Sequence, residues 1–270
     1  LIPLGKATLL RFKMKDLIVG QVPEIKYSLI GSGRLARHLN FYFKNSGLKL
    51  SHWARNHDTR QKLPQILSTS DIILLAISDD AIENFITENE AFLKDKTCVH
   101  FSGSVVSENA IGIHPLNTFS EELYSMDIYK STPMVADCAP EIIERIFPSL
   151  SNPVYFIEKE KKTIYHALVS MMGNFTNLLW KESIFELEKQ TGLPKEMLYA
   201  YQNQIFDNIK ADPMNSLTGP FVRGDFGTIN KHKEVLSTTP LSELYQCFQN
   251  LYFKKNKTTS EIKNNPPMEL

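Results

Sequence analysis

The stretch KYSLIGSGRLA, residues 26–36, restricts the fold more than any other part of the chain. An apolar run that favours a strand, Lys26–Ile30, ends at Gly31-Ser32-Gly33-Arg34-Leu35-Ala36. A helix-like segment follows at Leu35–Lys44, with Gly47 placed as a C′ glycine. A strand that turns directly into a helix is the opening of a βαβ unit. The first glycine permits the tight turn, the second lets backbone approach a diphosphate, and the small Ala36 lets helix pack on sheet. Free N–H groups at the helix start would then face the anion. A purely structural glycine turn is the other reading of these six residues.

The segments downstream fit that opening. Short apolar runs at Lys49–Trp53, Ile72–Ile77, Thr97–Phe101, Ile111–Ile113 and Val154–Ile157 read as further strands, and a helix is expected from Ser78-Asp79 to about Leu93. Ile72–Ile77 is apolar throughout, as a strand buried on both faces requires. The expected class is α/β, a doubly wound Rossmann domain followed by an all-helical C-terminal domain. After Ile157 the apolar period becomes helical, at Ile164, Leu168, Met171, Phe175, Leu178, Leu179, Ile184 and Leu187, which predicts one long helix over 160–190. Pro194 fits the first turn of the next helix, 212–228 reads as a loop, and helices near 228–236 and 240–254 close the chain. The expected division is an N-terminal extension at 1–24, a dinucleotide-binding domain at 25–157, a helical substrate and dimerisation domain at 158–255 and a flexible tail at 256–270.

Composition narrows the function classes. Thirty basic and thirty acidic residues cancel, so there is no global field for nucleic acid or an anionic membrane. No apolar run reaches the ~20 residues that span a bilayer. Residues 1–13 read as an upstream extension without the pattern of a signal peptide, and the expected location is the cytoplasm. Cys98, Cys138 and Cys247 are far apart and form no CxxC pair, so neither a metal site nor a disulfide framework is expected.

The end of the second predicted strand bears on the cofactor. NAD enzymes usually carry an acid there for the adenine ribose hydroxyls. This chain has Trp53-Ala54-Arg55-Asn56, with no acid until Asp58. Arg55, with Asn56 beside it and Arg60 nearby, suits a 2′-phosphate, which points to NADP(H). A solvated surface arginine is the alternative.

GSGRLA, AISDDAI (76–82), HFSGS (100–104), IGIHPLNTF (111–119), YHALVSMMGNFTNLL (165–179) and LTGPFVRGD (217–225) occur in an order that resembles a known family. These are Rossmann-like proteins with a C-terminal domain of unknown function, relatives of the 6-phosphogluconate dehydrogenase and pyrroline-5-carboxylate reductase superfamily. Some members are similar to an alternative form of ketopantoate reductase. The resemblance covers about residues 25–250 and implies reduction of a small molecule by NADPH, with a homodimer formed through the helical domain. It also implies that Ile77, Ser78 and Asp79 lie near the cofactor, although Ser78 at a strand end is equally a helix cap.

A ketone reductase needs a hydride donor, a proton donor and a group that fixes the substrate. Ser102 and His114 sit at predicted strand ends, where open α/β sheets bind ligands; a satisfied structural histidine is the other reading of His114. Lys162, His166, Ser170 and Asn174 recur at four-residue steps along the predicted long helix, as a polar stripe that lines either a cleft or solvent. Related reductases often carry a lysine on this helix as proton donor. The matching position here is His166, with Lys162 one turn earlier as the other candidate, and Asn174 would hold the carbonyl oxygen. In LTGPFVRGD, Arg223 suits a substrate carboxylate, Asp225 would orient it, and Thr218 would donate to substrate; a structural Arg–Asp pair is the alternative. The leading expectation is reduction of a 2-oxo acid, with ketopantoate first. An imine reductase of the pyrroline-5-carboxylate type and a non-catalytic NADP-binding sensor remain open.

Overall fold

The computed structural model describes residues 24–264, with side chains through Lys254. The expected N-terminal extension lies outside the described residues except for Glu24, as do residues 265–270 of the expected tail. The chain divides into two compact units between Met171 and Met172. The change of apolar period had suggested residue 157.

The first unit opens with β1 (Lys26–Ile30), α1 (Arg34–Asn45), β2 (Lys49–Trp53), α2 (Leu63–Thr69) and β3 (Ile72–Leu75). It continues with α3 (Ile82–Glu88), α4 (Glu90–Leu93), β4 (Thr97–His100), β5 (Ile111–Pro115), α5 (Met126–Ser131), β6 (Met134–Ala136), α6 (Pro140–Ile146), β7 (Val154–Phe156) and α7 (Lys162–Ser170). The strands form one sheet in the order β2-β1-β3-β4-β5-β6-β7. Strands β1 to β5 are parallel, β6 runs antiparallel to β5, and β7 is parallel to β6.

Alternation along the strands builds two apolar layers. Leu29, Leu74 and Val99 point to one face, where Ala36, Leu39, Tyr42 and Phe43 of α1 pack with Tyr129 and Phe147. Ile30, Ile73 and Leu75 point to the other, against Leu63, Leu67 and Ile82. This is the doubly wound arrangement expected. Helix α1 ends in a six-to-one closure, with the Leu48 amide donating to Phe43 O and Gly47 at φ 83°.

Several elements differ from expectation. The helix foreseen from Ser78 to Leu93 is a 3₁₀ turn at Asp79–Ala81, then α3 and α4 split at Asn89. Helix α2, helix α5 and the antiparallel β6 were not foreseen, because they are short and their apolar residues show no extended period. The predicted helix over 160–190 is interrupted by a π-helical turn at Met171–Phe175, after which the chain enters α8 (Thr176–Thr191).

The second unit continues with α9 (Tyr199–Ala211), α10 (Pro220–Arg223), α11 (Phe226–Leu236) and α12 (Leu241–Asn264). Gly192 closes α8 at φ 69°. Pro194 is the N-cap of a 3₁₀ turn at Lys195–Leu198, one position earlier than a first-turn proline. Helix α12 runs through Asn264, so much of the segment expected as a flexible tail is helical.

Candidate active site

The β1–α1 turn has the geometry its sequence promised. Gly31 adopts φ 145°, where a side chain is strained, and a Cβ there would collide with the Ala76 carbonyl oxygen. Ala36 is fully buried against this turn, which leaves room only for a small residue. Gly33 is the N-cap of α1 with no side-chain cap, and a Cβ on it would meet nothing within 4 Å. The first-turn amides therefore border open space, as an incoming diphosphate requires.

That space is part of a cleft of about 810 Å³, lined by Gly31–Leu35, Trp53, Arg55, Arg60 and Ala76–Ser78. Trp53 forms its floor at the end of β2, with Nε1 donating to Thr59 O at 3.3 Å. The Asp58 carboxylate accepts from the Ala54 amide at 3.0 Å, so this acid is committed to the turn. Arg55 is exposed on the cleft wall, and Arg60 reaches Glu88 at 3.3 Å across the rim. Asn56 does not line the cleft. Arg34 lies 3.8 Å from Glu121 at the protein surface. The residues present fit a dinucleotide: glycines where a diphosphate approaches, an open helix start, and Arg55 on a wall where Asp58 is bound to the Ala54 amide and Glu88 faces Arg60.

Along the same carboxyl edge, Ser78 is the N-cap residue of the 3₁₀ turn but its side chain makes no cap bond. Asp79 turns away from the cleft wall and accepts hydrogen bonds from Ser102 Oγ at 2.8 Å and Ser104 Oγ at 2.9 Å. Ser102 Oγ also accepts from the Ser104 and Val105 amides. The Ser102 hydroxyl thus organises the loop after β4.

Beyond this loop the histidines gather. His100, the last residue of β4, is fully buried and accepts the Ser102 amide on Nδ1 at 3.2 Å. The backbone can only donate there, so a neutral His100 carries its hydrogen on Nε2. Burial, then the nearby Lys162 charge, push its pKa down to about 4. His114 on β5 is likewise lowered to about 4, by burial first and then by His166 and Lys162. Its Nδ1 lies 2.8 Å from the Tyr165 hydroxyl, and its ring meets His166 edge to face at 5.6 Å. Both imidazoles crowd the backbone of Gly103: a Cβ there would fall 2.5 Å from the His166 ring and 3.1 Å from that of His114.

Lys162 stands differently from its expected role. It is 3% exposed and its Nζ donates to Asp137 Oδ2 at 2.7 Å. Asp137 Oδ1 in turn accepts the Gly112 amide at 2.8 Å, and a Cβ at Gly112 would collide with Lys162 Nζ. The lysine expected on an open polar stripe is therefore an interior charge with a dedicated partner. Because α7 starts at Lys162, this pair fixes the helix that carries Tyr165 and His166. Asp137 and Tyr165 were missed by sequence reasoning: no local pattern marks either one.

Ser170 ends α7 half-buried, and Asn174 is exposed within the π turn. In the second unit Asp225 is the N-cap of α11, accepting from the Thr228 amide at 3.0 Å and its hydroxyl at 2.7 Å. The amide bond holds its carboxyl below the usual range. Asp225 is thus engaged as a cap, and the Arg223 charge also acts on its carboxyl. Arg223 and Thr218 are exposed. Among the described residues, no group of three His, Cys, Asp or Glu is placed to hold a metal ion, and the three cysteines are free thiols. Among the same residues, no helix is long and apolar enough to cross a membrane.

Residues 136–251 match a family described as a domain of unknown function, DUF2520. That match begins at the end of β6 and takes in Asp137, Lys162, Tyr165 and His166. No curated protein matches the chain. Among solved structures, the chain is similar to a Bacteroides fragilis protein provisionally described as an NADP oxidoreductase, at 21% identity and TM-score 0.69, covering 86% of this chain and 98% of that one. It is also similar to a Streptomyces aurantiacus imine reductase, at 10% identity and TM-score 0.62, covering 86% and 95%. A third likeness is the pyrroline carboxylate reductase of Plasmodium falciparum with NADP bound, at 12% identity and TM-score 0.56, covering 84% and 98%. At these identities the shared property is the fold.

Proposed function

We propose that the protein is an NADPH-dependent reductase of a small molecule carrying a C=O or C=N bond. The observation that carries this reading is one strand edge with two features: an open glycine turn at Gly31–Gly33 and, farther along, a half-buried cluster of Tyr165, His114 and His166. The likeness to reductases, one of them holding NADP, supports it. Bound NADPH would supply the hydride. The amides of Arg34, Leu35 and Ala36 would hold its diphosphate, with Ser32, Ile77 and Ser78 along the cleft, and Arg55 its 2′-phosphate. The chain's own polar cluster would hold the proton and orient the substrate through His114 and His166. Exposed Arg223 and Thr218 are proposed as ligands for a substrate carboxylate, and Asn174 for the carbonyl oxygen.

Ketopantoate is the first substrate to assay. A cyclic imine is the second reading, favoured by one observation: the Asp79 carboxylate acts electrostatically on His114, and a carboxylate by the cluster suits an imine nitrogen that gains positive charge as it takes up a proton. Titration calorimetry with NADPH and NADH tests the coenzyme, with NADPH expected to bind at least tenfold more tightly and Arg55→Ala to erase that preference. Uptake of neither coenzyme by folded protein ends the reductase reading. Coenzyme uptake with no turnover on a carbonyl and imine panel would leave the sensor reading. We further propose that the second unit pairs with a second copy of the chain, because Phe185, Val235 and Leu251 are 60%, 70% and 66% exposed.

A further inference from the structure

We propose that Tyr165 is the proton donor of the reaction, with His114 as the residue that positions its hydroxyl and stabilises the phenolate left behind. This rests on the reductase reading and deepens it. The sequence pattern had pointed to His166 or Lys162. Lys162 is committed to Asp137 in the interior. His166 touches His114 only ring to ring. Tyr165, by contrast, brings a hydroxyl to 2.8 Å from His114 Nδ1 across 51 residues of chain.

Two further features make that contact suitable for proton transfer. Burial raises the Tyr165 pKa, so the phenol keeps its proton at neutral pH and is available as an acid. Burial, with Lys162 and His166 against it and Asp79 for it, keeps the His114 imidazole uncharged. In the tautomer with hydrogen on Nδ1, His114 donates to the Tyr165 oxygen, and the phenolic hydrogen is free to point at a ligand. The step then balances. Bound NADPH would supply the hydride to the carbon of a C=O or an unprotonated C=N, and the Tyr165 O–H bond breaks as its proton joins the oxygen or nitrogen. The phenolate accepts from His114 Nδ1–H until a proton from water restores the phenol after product leaves. The Lys162–Asp137–Gly112 arrangement serves the same end, since it anchors the first turn of the helix that presents Tyr165.

The test is Tyr165→Phe, which removes one oxygen and keeps the ring contact with His114. NADPH affinity, measured by calorimetry, is expected to stay within twofold, while kcat on whichever of ketopantoate or a cyclic imine the wild type reduces falls about 100-fold or more. His166→Asn is expected to cost less than this. A second readout is independent of turnover: nitrogen NMR of histidine-labelled protein is expected to show one fixed His114 tautomer in the wild type and averaged ring nitrogens in Tyr165→Phe. Full kcat in Tyr165→Phe, or a His114 spectrum it leaves unchanged, overturns the assignment. A wild type that takes up no coenzyme, or reduces neither probe, removes the reductase reading and this proposal with it. Normal coenzyme binding and turnover that survive the substitution remove Tyr165 alone.

Discussion

In the first unit Leu29, Ile73, Leu74 and Val99 are each fully buried, whereas Ile229 is the one buried apolar side chain among the described residues of the second. The first unit closes two apolar layers over a sheet and completes its own core. The second is built of helices whose apolar residues remain largely on the surface, Leu178, Phe185, Val235 and Leu251 among them. A parallel sheet covered on both faces is a finished object. A few amphipathic helices with apolar sides left open are not, and burying one such side chain is worth about 2 kcal/mol. The difference is that the first unit buries its apolar residues within itself, whereas the second leaves many of its own exposed, which is the observation behind the proposed pairing with a second copy.

The largest expected effect breaks the first unit from within. Lys162→Met leaves the Asp137 carboxylate buried without its cation and is expected to cost about 3–5 kcal/mol in denaturant unfolding. The double substitution Lys162→Met with Asp137→Leu is expected to recover most of that loss, because no charge is then stranded. A single variant as stable as wild type would show that the pair is not a structural charge pair.

Protonation probes the same unit more gently. His100 and His114 are held near pKa 4, below the ordinary histidine value of 6.5. Between those values the unfolded chain binds more protons than the folded one, so stability rises with pH. The contribution is complete above about pH 6.5 and is lost as pH falls toward 4, by up to about 3 kcal/mol per histidine. Thermal unfolding across that range checks it, and His114→Gln is expected to flatten the slope. An unchanged slope would show that His114 does not carry it.

The second unit is tested through its surface. Val235→Glu is expected to weaken self-association about 30-fold, the equivalent of ~2 kcal/mol, read as a shift from dimer to monomer in light scattering. Wild-type protein that is monomeric at micromolar concentration would contradict the proposed homodimer. The smallest effect is local: Asp225→Ala removes the α11 cap and is expected to cost about 1 kcal/mol in thermal unfolding. No change would show that the cap bonds add nothing net to the second unit.

Much of the fold was legible because its signals are local. Lys26–Ile30 and Lys49–Trp53 are strands with the boundaries their sequences suggested. Gly31, Gly33 and Ala36 each meet a steric demand set by the turn itself. Elements with short or mixed patterns were not legible. β6 is three residues long and gains its direction only by pairing with β5 and β7. The candidate site was half legible. The strand-edge rule pointed to Ser102, whose hydroxyl the structure gives to its own loop, and to His114, which it brings to Tyr165, while the helix that carried the polar stripe contains a π turn at Met171–Phe175.

The sequence alone determined the glycine turn, the strand-to-helix alternation and the change of apolar period, because each depends on residues within a few positions of one another. The partnerships of Tyr165 with His114 and of Lys162 with Asp137 were decided only by the tertiary structure. They join residues 51 and 25 positions apart, and their chemistry follows from burial that no local pattern encodes. A lysine reads alike on a solvated face and in an interior pair until the sheet has placed an aspartate beside it.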